Sequence, residues 1–249
     1  MANERWGEFQ EETPKAWAQA LYSESSTKKA RLGSIRRLND GREFVYVQVS
    51  ANIGSGLLCQ AAVADVANLG NLAVTANANI GDRSINFTMG ASSAANTQNE
   101  FEEGWAHIST INGSNWTAYK IKQHAAIAAN ANGTLYLYDK IRANLTTSDK
   151  VTITKNKAKK TLIAPTTLTG TIVGVTVMPM TANYYGWIQK KGECAVAVNG
   201  SANDGDGLVP EGGVAGYAGP STANDLTCLI GTCMVNNADN GAALVDLNI

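Results

Sequence analysis

REFVYVQV, residues 42–49, is an almost unbroken run of β-formers with no helical period. Asn39-Asp40-Gly41 stands directly before it and reads as a turn. Working outward, the same texture returns in SINFTM at 84–89 and again at 105–111, 116–121 and 134–138, with Asn-Gly and Asn-Ala-Asn turns between. It continues at 151–154, 172–178, 185–189, 193–198, 227–230 and 242–249. Between these segments residues 139–145 allow one or two helical turns, with Asp139 as cap. The Ala-, Asn- and Ser-rich stretches 68–79 and 92–99 read as loops or weak edge strands. Short strands at this spacing predict a mainly β chain, an antiparallel barrel or sandwich in one or two β subdomains. The polar, Thr-rich stretch 156–171, which holds Pro165, reads as a long loop or an interdomain connection. The expected organisation is an N-terminal arm at 1–40, a β domain at 41–160 and a C-terminal β region at 161–249.

Composition narrows the function classes. The 249 residues hold 20 Lys plus Arg against 21 Asp plus Glu, for a net charge of −1, and only 16% are charged. That balance argues against a strongly basic nucleic-acid binder. At 44% hydrophobic the chain has enough apolar material for a core, which argues against global disorder. No apolar run is long enough for a membrane helix, and the acidic start MANERWGEF is neither a secretory nor a lipidation signal. The expectation is a chain made in a cytoplasm, with no membrane partner. Its surface must be solubilised by Asn, Ser, Thr and Gly more than by charge.

The first 40 residues have a different texture. Glu4, Glu8, Glu11 and Glu12 are followed by Lys28, Lys29, Arg31, Arg36 and Arg37. Thr13-Pro14 resembles a cap followed by a first-turn proline, and Trp17, Ala20 and Leu21 fall at helical spacing. A short amphipathic helix is expected over about 14–22. Trp6, Phe9 and Trp17 need a surface to cover them, either the chain's own body or a neighbouring subunit.

His107 and His124 are the only bases of their kind, and neither has a nucleophile motif beside it. The segment from Gly90 to Ala94 lacks the closing glycine of a nucleophile elbow. Gly54-Ser55-Gly56 is too short for a phosphate cradle, and Gly213, Gly216 and Gly219 suit turns and close packing. Asn203-Asp204-Gly205-Asp206-Gly207 hints at calcium, but Leu208 breaks the ligand register, which leaves a tight turn. Cys59, Cys194, Cys228 and Cys233 lack zinc spacing and read as buried free thiols. The basic runs 28–37 and 150–160 carry no interleaved aromatics, so they read as solvated faces or as electrostatic docks onto an acidic neighbour. No catalytic, cofactor-binding or metal-binding residue emerges, no cofactor is expected, and an enzyme is not expected.

One pattern in the C-terminal third is recognisable. Asn183-Tyr184-Tyr185-Gly186-Trp187-Ile188-Gln189 leads to Gly192 and an alternating strand at 194–198. An acidic Gly turn, Leu208-Val209-Pro210, a Gly-rich stretch to Gly219, Ile230-Gly231 and a last strand at 244–249 follow. Residues 37–47 and 133–139, with Leu145, fit the same order. This resembles tailed-phage virion proteins, in particular capsid decoration, or cement, proteins. The resemblance implies a β-barrel-like homotrimer that binds the major capsid protein on the outside of the head and stabilises the lattice. It also implies assembly in the host cytoplasm, no specific nucleic-acid partner, and a role for Tyr185, Gly186 and Trp187 as fold markers. A second expectation is a head-fibre or tail-associated protein that binds a host glycan, through Trp105, Trp116 and Tyr119 as stacking surfaces.

Overall fold

The computed structural model describes residues 18–91, 96–109, 116–222, 228–236 and 241–249. The described chain is mainly β, in antiparallel sheets that form a half-barrel and a nearly closed barrel. It divides into two compact units. Unit 1 comprises Met1–Ala62 and Lys157–Ile249, and unit 2 is the intervening Val63–Asn156.

Unit 1 holds β1 (Ile35–Arg37), β2 (Glu43–Gln48), β3 (Leu58–Gln60), β10 (Leu162–Ile163), β11 (Ile172–Thr176), β12 (Tyr185–Ala197), β13 (Gly207–Pro210), β14 (Ala218–Pro220), β15 (Gly231–Asn236) and β16 (Ala242–Asn248). Their order is β10-β3-β11-β12-β16-β15-β13-β14, with the β1–β2 hairpin attached to β12 through β2. The expected turn at Asn39-Asp40-Gly41 closes that hairpin, with the Gly41 N–H donating to the Leu38 carbonyl. The 13-residue β12 is the spine. Its first part pairs with β2, from Tyr185↔Gln48 to Lys191↔Glu43, and its second with β16, from Lys191↔Asn248 to Ala197↔Ala242. The register shifts between Gln189 and Lys191, at this handover. Buried Gln189 fastens the bulge by donating from Nε2 to the carbonyls of Lys191, Gly192 and Glu193 at 2.8–3.1 Å.

The non-alternating sequence of β2 now has a cause. Phe44, Val45, Tyr46 and Val47 are all buried because both faces of the strand are covered. One cover is the segment from 18 onward. The Tyr46 hydroxyl donates to Gln19 Oε1 at 2.6 Å and accepts from the Lys29 N–H at 3.0 Å. Gln19 Nε2 in turn donates to the carbonyls of Ser23 and Tyr185. Leu21 and Leu32 join Phe44, Tyr46 and Trp187 in one core cluster. A second cluster, with Val196, Leu208, Ile230, Val245 and Leu247, lies under the alternating β16.

Unit 2 holds α1 (Val66–Leu69), β4 (Leu72–Ala73), β5 (Ser84–Thr88), β6 (Trp105–Ser109), β7 (Thr117–Gln123), β8 (Asn132–Leu137) and β9 (Lys150–Thr154). The order is β4-β9-β6-β7-β8-β5, and a bridge from Val74 to Phe87 joins the end beyond β4 to β5. The sheet therefore comes close to closing on itself, which removes exposed edges. Inward residues include Ile85, Phe87, Ala106, Ile108, Tyr119, Ile121, Leu135, Val151 and Ile153. The segment 96–104 adds Phe101 to this core, stacked on His124 at 4.8 Å.

Several expectations are corrected. The chain returns to unit 1 at Lys157, and residues 41–62 lie in that unit, where β2 pairs with β12. Residues 139–145 form no helix. Ile141 and Leu145 have helical spacing, but their N–H groups donate to the carbonyls of Asp82 and Ala78 in extended pairing. The strand expected at 227–230 begins at Gly231 instead. The segments 185–189 and 193–198 are one strand. Of the helix expected over 14–22, residues 18–22 form bends and a turn, while 14–17 lie outside the described residues, as do Trp6, Phe9 and Trp17. No helix among the described residues is long and apolar enough to cross a membrane.

Candidate functional site

Several groups with intrinsic chemistry hold the fold. His124 is buried, its Nε2 accepts from the Phe101 N–H at 2.9 Å, and Nδ1 faces the Ala125 carbonyl at 2.6 Å. Those partners place the proton on Nδ1 and make the ring a fastener for the 96–104 segment. His107 stands exposed in β6, between Ala118 of β7 and Thr152 of β9. In the suspected calcium turn, Asp206 Oδ2 accepts from the Asn203 N–H at 2.7 Å and from Asn203 Nδ2 at 3.2 Å. That is a capped turn. Among the described residues no group of three or more His, Cys, Asp or Glu could hold a metal ion.

The Gly-rich stretches behave as turns. The Gly54-Ser55-Gly56 turn is tied down by the buried Thr176 hydroxyl, which donates to the Gly54 carbonyl at 2.6 Å. Before Gly213, Glu211 Oε2 accepts the backbone N–H groups of Gly213 and Val214 at 2.5 and 2.6 Å. Burial acts to raise the Glu211 pKa, but these N–H donors outweigh it and hold the carboxyl below its usual range.

Three of the four cysteines are buried as expected, and Cys228 is exposed. Burial pushes the Cys59 and Cys194 thiols up to about 12, and raises Cys233 as well. The thiolate is the reactive form. Titration with Ellman's reagent at pH 8 should therefore find one fast thiol per native chain and all four after denaturation. Two or more fast thiols would contradict this burial.

The two basic runs are dispersed. Arg36 lies over the Trp187 ring at 5.9 Å and Arg37 pairs with Glu43 at 3.0 Å, both in the unit 1 hairpin. In the second run Lys155 pairs with Glu100 at 2.8 Å, while Lys150 is part of β9.

Two surfaces remain as candidates. In unit 1 the outward positions of β12, β16 and β15 form a row, Ala195–Leu244–Val235, beside Met234 and Ala242. Leu244, Met234 and Val235 are 41–44% exposed, which leaves an apolar strip at solvent. Glu193 and Asp246 face each other in the same sheet. Ala195, Ala242 and Glu193 also border a cleft of about 480 Å³ that reaches Tyr22, Arg42 and Tyr217. There Arg42 donates to Asp40 Oδ2 at 2.6 Å and to the Tyr22 hydroxyl at 3.2 Å. Burial acts to lower the Arg42 pKa, but these partners hold it above its usual value. No sequence signal marks the Glu193–Asp246 pair, because the two meet only across strands.

In unit 2 the outward face of β9, β6 and β7 carries Trp105, His107 and Lys120. Trp116 precedes β7 and is 73% exposed, and Trp105 is 46% exposed. Tyr119, expected beside them as a stacking surface, is fully buried, and its hydroxyl accepts from the Arg142 N–H at 3.0 Å. Strand alternation turns it inward between Ala118 and Lys120. Tyr136, exposed on the neighbouring β8, pairs with Gln123. Compared with protein families, curated proteins and solved structures, the chain matches none.

Proposed function

We propose that the chain is a structural virion protein, a capsid decoration protein that binds the outside of a phage head as a homotrimer and stabilises the lattice. The observation that carries the reading is the apolar strip Ala195–Leu244–Val235 with Met234, on a regular strand ladder. A strip of this kind suits contact between copies of the chain. Two β units with hydrogen-bonded turns suit a cement whose task is mechanical. Cementing acts through many small contacts repeated by symmetry, each interface of the order of 1,600 Å².

Residues 18–40 are tied into unit 1 through Gln19, Leu21 and Leu32. In this proposal the part of the arm that reaches a neighbour is therefore residues 1–17. Cosedimentation with heads stripped of decoration tests it. The full chain should pellet with heads and should sediment alone at three times 26.2 kDa. The chain lacking 1–17 should stay folded and lose attachment, and Leu244→Lys should release monomers. A full chain that stays in the supernatant, or a few dozen copies or fewer per native particle, would overturn the reading.

A further inference from the structure

We propose that the outward face of β9, β6 and β7 binds an anionic polysaccharide, a glycan that carries carboxylates or phosphates along its length. The first support is charge. The strands β5 to β9 contain three lysines, Lys120, Lys122 and Lys150, and neither Asp nor Glu. A chain with net charge −1 thus concentrates positive charge on one barrel wall. The second support is the placing of the aromatics. Trp105 pairs with Lys120 across β6 and β7, and Trp116 lies four residues before Lys120 on the same strand face. The two indoles are therefore about 13 Å apart along the strands.

Between them lie Ala118 and His107, with Thr152 and Thr154 on β9 alongside. The centre holds no Asp, Glu, Lys or Arg, and its hydroxyl and imidazole groups suit the polar rims of sugar rings. The apolar C–H faces of those rings stack on an indole, whose face is negative. Lys120 Nζ lies 5.9 Å from the Trp105 ring centroid, so an acidic group drawn to the lysine brings its sugar to the indole. A single-stranded nucleic acid also stacks and is anionic, but it needs cations along the track of its backbone. Here Lys120 and Lys122 neighbour each other at one end of β7, while Lys150 stands apart on β9 with Thr, His and Ala between, so the cations do not continue along a track and fit sparser charge.

Affinity electrophoresis of the purified full chain tests the proposal without reference to any particle. The probes are polygalacturonate, its methyl ester, and oligothymidylate. Polygalacturonate should retard the chain, more weakly as salt rises, and the methyl ester should retard it less. Trp105→Ala with Trp116→Ala should weaken retention about tenfold, equivalent to about 1.4 kcal/mol. Lys120→Gln with Lys150→Gln should lower polygalacturonate retention to that of the ester. These positions are on the surface, so all variants should melt with the parent. No retardation by polygalacturonate, retention unchanged in the double Trp variant, or stronger retardation by oligothymidylate would each overturn the assignment.

Discussion

Trp187→Ala is expected to destabilise the chain by about 4 kcal/mol, the middle of the range for aromatic truncations. Trp187 is 1% exposed and lies opposite Tyr46 in the β12–β2 ladder. The two rings meet edge to face, 5.0 Å between centroids at 61°, a geometry that adds to the burial of area. Tyr46 also stacks on Tyr185 and is held at its hydroxyl by Gln19 and Lys29. The space left by the indole collapses only in part, because β2 and β12 are held in register on either side of it. Urea unfolding should show a lower midpoint, and Trp187→Phe should recover part of the loss. Trp105→Ala, at a half-exposed position, should change stability by less than about 1 kcal/mol. Equal midpoints for Trp187→Ala and Trp105→Ala would remove Trp187 from the core and with it the reading of Tyr185-Gly186-Trp187 as fold markers.

The β character of the chain was legible because its strands obey local rules. β16 alternates buried and exposed residues along its whole length, and β5 and β9 do so within one sheet. The turn at Asn39-Asp40-Gly41 was legible for the same reason. What escaped depends on contacts far apart in sequence. Residues 42–49 carry no local sign that their partner begins at Tyr185. β3, β13 and β14 have three or four residues each, too few for a period to show. Ile141 and Leu145 mimic a helix because a buried extended crossing also spaces its apolar residues irregularly.

The candidate surfaces were harder still to read. The lysines of 150–160 have no aromatic neighbour in sequence. In space, Lys150 and Trp105 share one barrel wall because β9 pairs with β6. Trp105 and Trp116 were legible as exposed aromatics, whereas Tyr119 was misread because its alternation with Ala118 and Lys120 turns it inward. The buried partners of His124 give that residue a structural task that no local pattern announces.

Gly104→Val carries the second large effect, a loss of about 3 kcal/mol, the upper end for overpacking. A Cβ at Gly104 would lie 2.3 Å from the Thr154 carbonyl oxygen, 3.0 Å from the Phe101 carbonyl oxygen and 3.2 Å from the Asn156 nitrogen. All three obstacles are backbone, so no side-chain rotation relieves them. The same glycine is hydrogen-bonded on both sides. Its N–H donates to the Phe101 carbonyl and its carbonyl accepts from the Ile121 N–H. A Val side chain must therefore push the end of β9 away from the segment that carries Phe101 into the core. Asn156 Nδ2, which donates to the Glu103 carbonyl at 3.1 Å, sits in the same place and would be displaced with it. Hydrogen exchange at the Phe101 N–H, which His124 holds, should accelerate sharply, and the urea midpoint should fall. Gly212→Val provides the contrast, because a Cβ there meets only the Thr166 carbonyl oxygen, at 3.9 Å. A Gly104→Val chain as stable as Gly212→Val would mean that β9 does not close over residues 101–104, and the barrel of unit 2 would have to be redrawn at that end.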